Sequence, residues 1–173
     1  INFDAVELLL ADTRVDVNHR IGGGEERVMY EGDSALALAI YGGGNIIGKR
    51  MAELLLATGK VDMNYVSRDD EGYLMMAVNY NGHYNMAQLL IDTVPDLNLE
   101  EVDREGRSVL NLAMEQTALE RELNGENILP WFINRSYYER VHQEQVTFRA
   151  TLLRVLAERK SAAEGGGKRR KLN

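Results

Sequence analysis

Apolar residues fall in two kinds of short block along this chain, and both kinds recur. The first is leucine-rich. Val6 to Asn18, built on Leu8-Leu9-Leu10 and ending Asp16-Val17-Asn18, returns as Ala52 to Asn64 with Leu54-Leu55-Leu56 and Asp62-Met63-Asn64. A looser copy runs from Ala87 to Asn98. The second kind is shorter. Gly32 to Ala39 returns as Gly106 to Ala113, and Gly72 to Val78 is a degenerate copy. Leu36 and Ala39 stand three apart, as do Leu110 and Ala113, so each pair shares one helix face. The pattern predicts a unit made of a turn, a short helix, a Gly-bearing loop, a second apolar helix and an extended exit. Units fall near 1–18 (truncated), 32–64, 70–98 and 103–160, the last degenerate.

Each part of the unit has a physical reason. Gly32 and Gly106 allow a turn backbone that other residues resist. Ser34 and Ser108 are placed to cap the short helix through their hydroxyls. Small alanines let neighbours approach, and Met51, Leu54 and Leu55 fill the space between units. One helix pair cannot bury its apolar face alone, so adjacent pairs must supply the other wall. Asn18 to Asn64 spans 46 residues and Asn64 to Asn98 spans 34. The excess is assigned to a long loop, His19 to Glu31, and to a lengthened link between helices, Tyr41 to Arg50.

Beyond Thr117 the pattern changes. Ala118 to Leu123 extends the short helix of the last unit, and Asn124-Gly125 ends it. Ile128 to Phe132 is read as a loop packing back, with Trp131 closing the core. A long helix follows over Ser136 to Lys160 and serves as a C-terminal cap. Residues 161–173 are read as a flexible basic tail.

These copies resemble ankyrin repeats. Asp103-Arg104-Glu105-Gly106-Arg107-Ser108-Val109-Leu110-Asn111-Leu112-Ala113 is similar to the opening of that repeat, Asp-x-x-Gly-x-Thr-Pro-Leu-His-x-Ala. Gly82-His83 resembles the end of its first helix, and the Leu-Leu-Leu blocks match its second. The style of Thr58 to Asn64 is also similar to the ankyrin arrays of large fungal proteins. The resemblance covers residues 1 to 117. It implies an all-α ankyrin-repeat solenoid with hairpin-like connecting loops and a C-terminal helical cap. It further implies an interaction module that holds a protein or peptide on its hairpin tips and concave helix face. Carried over, the tip positions are Arg68, Asp69, Asp70, Arg104 and Glu105. The groove positions are Asp33, Tyr41, Glu71, Asn79, Tyr80, Arg107, Glu115 and Gln116. The loop His19 to Glu31 would extend the same edge.

Charge narrows the partner. The chain has 20 Lys and Arg against 27 Asp and Glu, a net −7. Residues 160–173 carry +4, which leaves −11 on the rest. So acidic a body repels a phosphate backbone, and a basic protein or peptide suits it better than nucleic acid. Lys168-Arg169-Arg170-Lys171 resembles a short nuclear-import signal. The absence of cysteine excludes disulfides and thiolate chemistry and fits an intracellular setting, cytoplasmic or nuclear. No apolar run reaches the roughly 18 residues of a membrane span. The helical pattern begins immediately after Ile1, which reads as a fragment cut from a longer protein.

Candidate chemistry is thin. Gly43-Gly44-Asn45-Ile46-Ile47-Gly48-Lys49 has phosphate-loop spacing, but Arg50 stands where Ser or Thr would hold magnesium, and the stretch before it is helical in pattern. His19, His83 and His142 lie far apart, with no second ligand at helical spacing. Asp69-Asp70-Glu71 falls at a turn, where Asp is at home. No catalytic, cofactor or metal residue is therefore assigned, and the chain is read as a non-enzyme. The alternative to the interaction module is a structural or regulatory arm of a larger multidomain protein.

Overall fold

A computed structural model describes residues 1–22, 31–42, 46–79, 84–115 and 135–169. Helices dominate, and among the described residues there is no strand. The helices are α1 (Phe3–Ala11), α2 (Ala35–Tyr41), α3 (Ile46–Ala57), α4 (Tyr73–Asn79), α5 (Tyr84–Thr93), α6 (Val109–Met114) and α7 (Arg135–Arg169). The chain divides into two compact units, Ile1–Leu112 and Ala113–Asn173.

In the first unit short and long helices alternate. The short α2 packs on α3 and also on α4, and α4 packs on α5. The longer helices form their own row, with α3 against α1 and α5. The starts of the helices follow from local chemistry. Asn2 caps α1 by accepting from the Ala5 amide at 3.2 Å. The Ser34 hydroxyl accepts from the Ala37 amide at 3.2 Å. Ser108 does the same for Asn111 at 3.1 Å, and the Asn111 side chain accepts in return from the Ser108 amide at 2.9 Å. This reciprocal pairing satisfies donors that a helix start otherwise leaves orphaned.

The exits repeat as well. Asn18 and Asn64 each turn back through their amide to Asp16 and Asp62. Asn18 also grips the following exit, donating to the Lys60 carbonyl and accepting from the Asp62 amide, both at 2.8 Å. One side chain thus satisfies two backbone groups of the neighbouring segment.

Three boundaries differ from the sequence reading. Ile46 to Arg50 is not link but the first turns of α3, so only positions 42–45 join α2 to α3, as 80–83 join α4 to α5. Gly48 explains the short join. A Cβ there would meet the Gly42 carbonyl oxygen at 2.5 Å and that of Ala39 at 2.7 Å, so α3 lies directly against the end of α2. The same placement puts Gly48 and Lys49 inside a helix that follows another helix, without the strand that a phosphate loop requires.

The second difference is register. Gly72, aligned by letter with Gly32 and Gly106, stands instead where Ser34 and Ser108 stand, immediately before a helix. The left-handed position belongs to Asp70, at φ 60°, beside Gly32 at 86° and Gly106 at 77°. Asp tolerates that region better than most residues because its short side chain bonds locally.

The third lies in the second unit. The helix that the sequence reading ended at Lys160 continues to Arg169. Gln145, 2% exposed, donates to the carbonyls of Ala113 and Glu115 at 3.1 and 2.9 Å. Arg149 donates to the Ala113 carbonyl at 2.8 Å. These side chains take up carbonyls at the end of α6 that the helix cannot satisfy itself. Phe148 and Leu152, one turn apart, are fully buried. Trp131 and Ile128 to Phe132 lie outside the described residues, as do residues 116–134 as a whole.

Gly48→Ala should destabilise the fold by about 1–3 kcal/mol, the usual cost of overpacking. Urea denaturation followed by circular dichroism checks this; an unchanged midpoint would show that the two helices have room to part.

Candidate functional site

The connecting segments fold into hairpin tips by one device used twice. In the 67–71 tip the Ser67 amide donates to the Glu71 carbonyl at 2.9 Å. The Ser67 hydroxyl accepts from the amides of Asp69 and Glu71, both at 3.2 Å. In the 103–107 tip the Asp103 amide donates to the Arg107 carbonyl at 2.9 Å. Its carboxylate accepts from the amides of Glu105 and Arg107 at 3.0 and 2.8 Å, and from the Arg107 guanidinium at 2.8 Å. Burial pushes the Asp103 carboxyl up, but the bonds from Arg107 outweigh it and hold the group below the ordinary range. An earlier segment pairs Arg20 antiparallel with Ser34, and Val102 pairs likewise with Ser108.

Adjacent tips are joined by ions. Arg68 reaches Glu31 at 2.6 Å. Arg104 reaches Asp69 at 3.1 Å and donates to the Arg68 carbonyl at 2.6 Å; Asp70 lies 3.8 Å away. These side chains are exposed apart from the half-buried Glu31, and a pair at the surface contributes only about 0–1 kcal/mol. Their effect is to set the tips side by side.

Between the tips lies a cleft of about 340 Å³, lined by Asp69, Glu71, Asn79, Arg104 and Glu105. Three carboxylates face one guanidinium, so the cleft is acidic. Asn79, at the end of α4, donates to Glu71 at 2.6 Å. Burial pushes the Glu71 carboxyl up from its ordinary range; the Asn79 bond and Arg104 pull it down, and Asp69 and Asp103 add to the rise, which prevails. The cleft thus gathers five of the residues that the family resemblance had singled out.

Other candidates lie elsewhere. Tyr41 is half-buried at the end of α2. Arg107 is engaged with Asp103 and Glu105. Glu115 is exposed, with its carbonyl taken by Gln145. Tyr80, Gln116, Arg170 and Lys171 lie outside the described residues, as do 23–30 of the long loop. Lys168 and Arg169 belong to α7. Asp33 departs from its expected role as an open groove position. It is 6% exposed, and its carboxylate accepts from the Tyr65 hydroxyl at 2.8 Å.

That contact belongs to a buried polar stack which self-similarity had not flagged. The rings of Tyr65 and Tyr73 lie 4.6 Å apart and nearly parallel. The Arg20 guanidinium covers Tyr65 at 4.7 Å, a cation over a ring face. The Tyr73 and Ser34 hydroxyls meet at 2.7 Å. Burial raises the pKa of both tyrosines, and the Asp33 bond adds to the rise at Tyr65. Three segments distant in sequence are held by this stack. Its one sequence signal is Tyr65 after Asn64, a residue that neither other copy shares, since His19 and Leu99 follow Asn18 and Asn98.

Among the described residues no group of three or more His, Asp or Glu side chains converges to hold a metal ion, and no helix is long and apolar enough to cross a membrane. Compared with family models, with curated proteins and with solved structures, the chain finds no match in any of the three.

Tyr65→Phe strips a buried carboxylate of its donor and should cost about 1–3 kcal/mol in urea denaturation. A loss well below that range would show that Asp33 finds water instead. Glu71 supplies a pH test. Its folded pKa is raised, so its favourable contribution is complete below the ordinary Glu range and disappears as pH rises through the raised value. Glu71→Gln should therefore gain stability relative to the parent chain over that rising window. Parallel stability–pH curves for the two proteins would contradict the assignment.

Proposed function

We propose that this chain is an ankyrin-repeat interaction module that holds a basic protein or peptide along its hairpin tips. The observation that carries the reading is the acidic cleft between the 67–71 and 103–107 tips, where Asp69, Glu71 and Glu105 face a single Arg104. The alternation of short and long helices in two rows, with a left-handed residue in each hairpin, agrees with the motif resemblance of residues 1 to 117. Stacked units of this kind present an extended surface in which the tips and the exposed ends of the short helices stand side by side.

The net −11 on the body strengthens the choice of a basic partner. Acidic surface speeds encounter with positive charge and disfavours anionic competitors, so the association should weaken steeply with salt. The cleft also has the means to orient what enters it. Glu71 is partly desolvated and held by Asn79, so its carboxylate is a fixed acceptor rather than a freely rotating one. By chemistry it suits a guanidinium or ammonium group on an extended segment. The repeats are not proposed to bind nucleic acid, and no chemical step is assigned to them.

Affinity capture from host lysate identifies the partner, and two variants then test the site. Replacing Asp69, Glu71 and Glu105 together by Asn, Gln and Gln should weaken binding roughly tenfold at low salt, about 1.4 kcal/mol. It should also flatten the salt dependence. Changing Tyr41, Asn79 and Tyr80 to Ala should weaken binding without unfolding the chain. If the captured protein binds both folded variants as well as the parent, the tip surface is not the site, and the structural-arm reading takes its place.

A further inference from the structure

Among the short helices, α4 alone begins without a side-chain oxygen of its own. Ser34 and Ser108 stand immediately before α2 and α6, and each hydroxyl accepts from the third amide of its helix, Ala37 or Asn111. The equivalent position before α4 is Gly72. Yet α4 needs a cap more than its neighbours do, because Tyr73 to Val78 are all buried. An orphaned amide in such surroundings costs as much as a lost hydrogen bond.

The missing oxygen comes from 29 residues further along the chain. The buried Glu101 carboxylate lies against Gly72, at the start of α4, and the backbone amides of Met75 and Gly72 draw its pKa down against the rise that burial brings. Met75 is the third residue of α4, the position that the serine hydroxyls serve in α2 and α6. Gly72 makes the room. A Cβ there would overlap the Glu101 carboxylate and lie 2.8 Å from its Cδ. A serine at 72 would cap α4 locally but expel Glu101; glycine admits Glu101 and leaves the cap to it.

We infer that Glu101 is the N-terminal cap of α4, supplied across the repeat boundary, and that this clasp couples the two hairpin tips walling the acidic cleft. Glu71, on one wall, directly precedes Gly72. On the other side, Glu101 directly precedes Val102, which pairs with Ser108 and leads to Arg104 and Glu105 at the tip. The clasp therefore closes a short circuit between the walls, and its existence does not depend on what the cleft binds. An anion suits this place, since a helix start carries partial positive charge. Opposing it, burial pushes the Glu101 carboxyl up, and neighbouring Glu71 adds to the rise. One carboxylate oxygen of Glu101, Oε2, is buried without a partner.

Amide hydrogen exchange on the full chain tests both halves of the inference, with Glu101→Ala, Gly72→Ser, the double variant, and Glu101→Gln as the conservative control. In Glu101→Ala the Met75 amide should lose roughly tenfold in protection, the size of effect that a lost cap brings. The Asp103 amide, in the hairpin beyond the clasp, should lose protection with it. Glu101→Gln retains an acceptor oxygen and should keep most of the Met75 protection. Gly72→Ser alone should be destabilised, whereas adding it to Glu101→Ala should restore Met75 protection but not that of Asp103. Full protection at Met75 in Glu101→Ala, or a double variant no better than Glu101→Ala, would overturn the cap. Unchanged protection at Asp103 would overturn the coupling. Because Glu101→Gln and the double variant each supply an oxygen to α4, the test survives if Glu101→Ala itself folds poorly.

Discussion

Six consecutive side chains of α4, Tyr73 to Val78, are buried. A helix so short can lose every face to the interior only if other segments surround it. Here α2 and α5 cover it from two sides, and Tyr65 stacks on its first residue. Much of the first unit follows from that enclosure. The Tyr73 hydroxyl must find a partner and finds Ser34, which is already capping α2. Tyr65 brings its own hydroxyl into the same dry region and finds Asp33. Polar groups in such a place are tolerated because each is paired, and each pairing ties down another segment.

The hairpin tips obey a different economy. Their fold is local: Ser67 and Asp103 each fill the turn with a side-chain oxygen, and a left-handed residue closes it. Their mutual arrangement rests on exposed ions such as Arg104 with Asp69, individually weak. A surface built this way keeps a rigid base and an adaptable rim. That combination agrees with a proposed role in holding a partner, because binding groups on loops work best when a packed scaffold positions them.

Reading the chain from its letters located the helical blocks, the Ser34 and Ser108 caps and the tips at 68–70 and 104–105. The letters misled at places where identity and role part company. Gly72 matches Gly32 as a residue, but its backbone does the work of Ser34, while Asp70 does the work of Gly32. Ile46 to Arg50 read as link because the 46-residue spacing from Asn18 to Asn64 left an excess to place there; in the structure they open α3, with Ile46 and Ile47 exposed. Asp33 read as an open groove position because it was carried over from the repeat that the motifs resemble. Its burial depends on Tyr65, 32 residues away, which no copy of the pattern repeats.

Local terms were enough for the sequence to determine by itself that this chain is helical, where most of its helices lie, and that acidic groups gather at its turns. Periodicity, capping and turn preference act within a few residues, so each leaves a mark that a short window can read. The tertiary structure alone decided which partner completes each unsatisfied group. Tyr65 for Asp33 and Arg104 for Asp69 are contacts between segments that leave no periodic trace. Their selection depends on which donors and acceptors lose water together once the helices pack, and that is a property of the assembled core rather than of any stretch of chain.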